Sequence, residues 1–146
     1  MELDKDFLDK LFEQATENPR LRQSFDLRTS SADTSQRMLN ALLPRTEVPI
    51  HRHEKTAETV ICLVGKLEEV FYEEVDEYVH ETTSCCDDVV RQRSFKEISR
   101  QVLSPVDGKF GIQIPAGAWH TINVIEPSVI FETKDGAYNR LGKHNS

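Results

Sequence analysis

His51 and His53 stand two residues apart, Glu58 follows shortly after, and His120 lies far along the chain. On an extended segment both rings of a His-x-His pair project from one face, about 6.6–6.8 Å apart along the chain. A carboxylate from the next strand and an imidazole from a distant strand can join them inside a small barrel. Three imidazoles and one carboxylate suit one divalent transition metal, and ligand type alone does not choose among Zn, Fe, Mn, Ni and Co. Such an ion would keep open positions for water or substrate. A single His-x-His is weak evidence, because most histidines are exposed or hydrogen-bonded in structural roles. His80, amid glutamates, and His144, in the polar tail, are read that way. Glu58 taken alone would pass for a surface carboxylate beside Lys55. The joint spacing makes the four a candidate site.

Such a site needs rigid elements to position it. Leu3, Phe7, Leu8, Leu11, Phe12 and Ala15 recur at helical spacing, with Asp4 as N-cap and Leu3 and Leu8 as a hydrophobic staple. Asn18-Pro19 ends that helix, since proline disfavours the helical conformation at the residue before it. The remainder reads mainly as strands. Arg37 to Leu43 is one, and Thr59 to Val64 is apolar on both faces and ends in a tight turn at Gly65. Leu67 to Val75 follows, with Asp76-Glu77 turning it into Tyr78-Val79-His80. Gly111 to Ile114, Thr121 to Ile125 and Val129 to Glu132 are further short strands. Residues 82–99 are polar and form an excursion between strands, with a short helix over Val89 to Ile98. Many short strands separated by turn signals indicate a sandwich or barrel.

The 146 residues make one ordinary domain, 1–146, with a helical 1–19 and a barrel over 37–138. Hydrophobic residues at 38% and charged residues at 29% place the chain among soluble globular proteins. A net charge of −7 argues against nucleic acid and anionic membrane as partners. No apolar stretch approaches the roughly 20 residues of a membrane span, and the N-terminus lacks the pattern of a secretory signal. A cytoplasmic location is expected. Cys62, Cys85 and Cys86 make no disulfide framework and carry no CxxC spacing for a zinc ribbon. Cys62, within an apolar run, reads as a buried small hydrophobe.

Taken together, these motifs resemble a known superfamily. His51-x-His53-x4-Glu58-x6-Gly65 is similar to the first cupin motif, and Pro115-x-Gly117-x2-His120 to the core of the second. The resemblance covers roughly Arg37 to Glu132. It implies a mainly β fold, the cupin double-stranded β-helix or jelly-roll barrel, preceded by one N-terminal amphipathic α-helix. It also implies His51, His53, Glu58 and His120 as ligands of one divalent metal inside the barrel. Within cupins, Gln36 to Leu42, Trp119-His120 and Glu132 to Tyr138 resemble the WbuC-type cupin metalloproteins, often encoded near bacterial surface-polysaccharide genes. Lys109 stands where the second motif usually has Gly, and Asn123 follows His120 by three positions rather than four. Ala137 replaces the usual Pro, and 82–99 is longer than the usual linker.

Four further residues are candidates for the pocket or its surroundings. Arg37 would meet an anionic substrate group or pair with Asp33 on the surface. Tyr72 would offer a phenol, Asn123 would bond a neighbour of a ligand, and Glu132 would act as a base or pair structurally. Trp119 and Phe131 are packing residues. No catalytic residue is assigned. The expected function is Lewis-acid chemistry of the isomerase or epimerase kind on a small molecule of sugar or surface-polysaccharide metabolism, a sugar or sugar nucleotide. A metal-dependent dioxygenase and a non-catalytic binding or sensing cupin are the alternatives, and a homodimer is compatible with exposed sheet edges.

Overall fold

The helix forms as its pattern demands. In the computed structural model, which describes residues 1–82 and 87–136, α1 spans Lys5–Glu17. Asp4 is its N-cap and accepts from the Phe7 amide at 2.9 Å. Cys85, Cys86, Ala137, Tyr138 and His144 lie outside the described residues. Among the described residues no helix is long and apolar enough to cross a membrane.

The strands are β1 (Arg22–Asp26), β2 (Ser35–Leu42), β3 (Glu58–Thr82), β4 (Asp87–Leu103), β5 (Gly111–Ile114) and β6 (Trp119–Asp135). They form one bent antiparallel sheet in the order β1-β2-β6-β3-β4, with β5 on the far side of the first turns of β3. The chain is thus mainly β, with the cupin jelly-roll architecture and one N-terminal helix.

Alternation divides the sheet into two cores. Leu39, Ala41 and Val129 point outward, where Leu11 and Ala15 of α1 bury them. Leu42, Val60, Cys62, Leu67, Ile114, Val124 and Ile130 point inward and build the barrel core. Cys62 is buried as expected.

Several local expectations differ from what forms. Gly65 does not end a strand: β3 runs on through it with register shifts against β6 between Cys62 and Leu67. Gly65 has φ +99°, and a Cβ there would lie 2.2 Å from the Pro127 carbonyl oxygen, so the residue marks a bulge where two backbones touch. There is no turn at Asp76-Glu77, which pair with Arg93 and Gln92 inside a ladder. Residues 89–98 are not helical but belong to β4, whose arginines meet carboxylates across the ladder. Arg91 meets Asp76 at 3.0 Å, Arg93 meets Glu74 at 3.0 Å, and Arg100 meets Glu68 at 3.1 Å. Thr121–Ile125 and Val129–Glu132 are two parts of the single strand β6.

Candidate metal centre and its cavity

The three histidines converge from two short stretches of chain. His120 begins β6, and the segment carrying His51 runs beside it through paired backbone bonds of 3.0 and 2.9 Å. The Gly117 amide donates to the His53 carbonyl at 2.7 Å, so the Pro115–Gly117 turn is tied to the same segment. Gly117 has φ +82°, the left-handed conformation that glycine reaches without a Cβ penalty. The His-x-His pair sits at an isolated bridge through His51 and not within a ladder strand.

One nitrogen from each of His51, His53 and His120 lies within 4.8 Å of the others, so the three could hold a metal ion. Nδ1 of His51 is 2.8 Å from the Pro49 carbonyl, and Nδ1 of His120 is 2.8 Å from the Ala118 carbonyl. A carbonyl only accepts, so those Nδ1 atoms carry the protons and the Nε2 atoms carry the lone pairs that a cation would use. Burial lowers both imidazoles, and for His120, helped by His51, it does so to about 4. Neutral imidazoles are what a metal requires. Donor chemistry and geometry fit a divalent transition metal.

Glu58 opens β3 against this cluster. Its Oε2 is 3.0 Å from His53 Nε2 and 3.8 Å from His120 Nε2, contacts that call for a proton or a cation between them. Burial pushes its carboxyl up, but His53, His120 and His51 together hold it below the ordinary carboxylate range. Lys134 stands opposite it on β6 and is itself buried, donating to the Gly136 carbonyl at 2.6 Å.

The cluster lies on the wall of a cavity of about 760 Å³ between β2, β3, β6 and the rim of β1. Of the other candidates, Glu132 lines this cavity and accepts from Asn40 Nδ2 at 3.1 Å. Burial, then the charge of Glu58, raises its carboxyl to about 8. Arg37 lies outside the lining and pairs with Asp33 at 2.5 Å. Asn123 is exposed and donates to Glu68 at 2.8 Å. Tyr72 is half-buried opposite Trp119. The guanidinium groups of Arg52 and Arg93 lie over the Trp119 ring, 4.6 and 4.9 Å from its centroid. Phe131 packs beneath α1.

Sequence reading missed Glu69, Asn40 and Gln36, which also line the cavity. For Asn40 and Gln36 the signal was present. Both share the parity of Leu42, which faces inward from β2.

A bent antiparallel barrel with three imidazoles and a carboxylate on the wall of its cavity has the architecture of the cupin fold. The chain belongs to the family described as a domain of unknown function, DUF6016, which matches residues 3–84. No curated protein is similar to it. Among solved structures, KdgF from Halomonas sp. is similar over 85% of this chain and 87% of that chain, at 13% identity and TM-score 0.52. CapF from Staphylococcus aureus, a capsular polysaccharide assembling protein, is similar over 82% of this chain but 28% of its own, at 16% identity and TM-score 0.50. Rru_A2000 from Rhodospirillum rubrum, a cupin-2 domain, aligns over 82% of this chain and 62% of its own, at 12% identity and TM-score 0.48. At these identities the likeness concerns the fold.

Proposed function

We propose that the chain is a metal-dependent cupin that acts on a small hydroxyl- or carbonyl-bearing molecule, with His51, His53, Glu58 and His120 as ligands of one divalent transition metal. The observation that carries this reading is the convergence of three imidazoles and the Glu58 carboxyl on a cavity large enough for a ligand. When bound, such an ion supplies Lewis-acid polarisation of a carbonyl or hydroxyl. The protein's own residues do the rest. The backbone carbonyls of Pro49 and Ala118 fix the imidazole tautomers. Glu132, with its carboxyl near 8 and its hydrogen bond to Asn40, is poised to give or take a proton at neutral pH.

A proton-handling group in the cavity favours isomerase- or epimerase-like chemistry. A cavity lined only by aliphatic side chains would have favoured oxygen chemistry or simple binding. The motif resemblance to WbuC-type cupins directs the substrate toward sugar or surface-polysaccharide metabolism, in a bacterial cytoplasm. A nucleic acid or membrane partner does not suit the acidic chain.

Elemental analysis of protein purified without chelator tests the metal. About one equivalent of a transition metal is expected. His120→Ala should lose most of it while circular dichroism keeps its β signature. Wild-type stoichiometry in that variant would sink the ligand assignment.

A further inference from the structure

A second group of polar and ionisable side chains lines the same cavity. Glu69, on β3, is 1% exposed, and neither of its carboxyl oxygens has a hydrogen-bond partner among the described residues. It faces Ile122 across the β3–β6 ladder, and the next inward pair is Phe71 with His120. Glu69 is therefore one rung from the third imidazole. Glu132 with Asn40 lies on the β2 side of the cavity. Gln36, 5% exposed, presents a side-chain oxygen that also lacks a partner among the described residues.

Buried polar groups in natural proteins are almost always hydrogen-bonded, and each exception asks for a cause. The fold gains nothing from Glu69, since an apolar side chain of similar size would fill the place without a desolvation cost. Its partner must then enter through the cavity. A second metal ion does not fit. Among the described residues, the three histidines are the only such group whose ligand atoms converge within 4.8 Å. An anion does not fit either, beside three glutamates. Burial first, then the charges of Glu58 and Glu132, push the Glu69 carboxyl well above the ordinary range. A protonated carboxyl both donates and accepts, as does an amide. Hydroxyl groups, which do the same, are the matching chemistry.

We propose that Glu69, with Glu132, Asn40 and Gln36, forms a subsite for an uncharged polyhydroxyl portion of the ligand, the hydroxyl-bearing face of a sugar, on the cavity floor beside the imidazoles. This rests on the metal-centred reading only for which end of the ligand reacts. Recognition by the carboxyls is separable from the metal.

The test uses the full chain loaded with metal, and unphosphorylated five- and six-carbon aldoses, ketoses and alditols as calorimetric probes. Wild type is expected to bind at least one of them. Glu69→Met, which keeps the volume, should weaken that binding about tenfold or more and raise the thermal midpoint, because the unpartnered carboxyl is gone. Glu69→Ala keeps the test open if methionine does not fit, and must weaken binding as far. Unchanged binding in a folded variant, or a lowered midpoint in Glu69→Met, overturns the proposal. So does a wild-type protein that holds its metal and binds none of the probes. Glu69-dependent binding in protein that holds no metal would keep this subsite and remove only the metal-centred reading.

Discussion

Glu132 and His120 titrate in opposite senses although they share one cavity. His120 is held down to about 4 by burial and by His51, so the folded protein keeps it neutral where the unfolded chain would charge it. Glu132 is held up to about 8 by burial and by Glu58. Between its ordinary value of 4.5 and about 8 the folded protein retains a proton that the unfolded chain has released. Its contribution is therefore full below 4.5 and is lost as pH rises through 8, at no more than about 1.4 kcal/mol per pH unit. Glu132→Gln has no such proton. In metal-free protein, urea midpoints measured from pH 5 to 8 should show a smaller alkaline decline in the variant than in wild type. Parallel curves would mean that the Glu132 carboxyl ionises normally. His120 remains in both proteins and cancels from the difference between the curves, which reports Glu132 and the carboxyls its charge acts on.

At the level of elements, the bulge at Gly65 decides which carboxylates enter the barrel. Glu58, Val60 and Cys62 face inward at even positions, whereas Leu67, Glu69 and Phe71 do so at odd ones. A regular strand has period two, so one extra residue switches the face. Glu69 was for that reason illegible in the sequence: strict alternation from Glu58 sends it outward. The helix and the two motif halves were legible because each signal is local, a stripe with a cap and a spacing around a turn. The β3–β4 ladder was not. Its polar residues look like loop until Arg91, Arg93 and Arg100 find carboxylates on the neighbouring strand. β1 was missed because Arg22–Asp26 has no apolar alternation to read. Gly65→Ala would force φ +99° on a residue with a Cβ and drive that carbon into the Pro127 carbonyl and Ser128. A loss of about 3 kcal/mol or more is expected in urea unfolding. A cost below 1 kcal/mol would mean the bulge relaxes freely and does not fix the register that carries Glu69.

Across the whole molecule, the two cores and the metal centre are held by different means. The helix-side core of Leu11, Ala15, Leu39, Ala41 and Val129 contains none of the site residues. The segment bearing His51 and His53 is attached to β6 by the few backbone bonds at His51, His53, Gly117 and His120. A metal ion joining His120 to His51, His53 and Glu58 would tie that segment to the barrel and bind the folded chain far better than the unfolded one. Addition of the metal to stripped protein should then raise the thermal midpoint. At a free concentration a hundredfold above Kd the gain is about 2.7 kcal/mol, and chelator should reverse it. Protons compete for the same nitrogens, but His120 is already depressed in the folded state. Proton competition at His120 should therefore set in only as pH nears 4, and the metal-dependent rise should be smaller at pH 4 than at pH 7. A rise as large at pH 4 as at pH 7 would show that protons do not compete for the ligands of the ion. No rise at any pH, in protein that nonetheless carries one equivalent of metal, would place the ion away from the histidines.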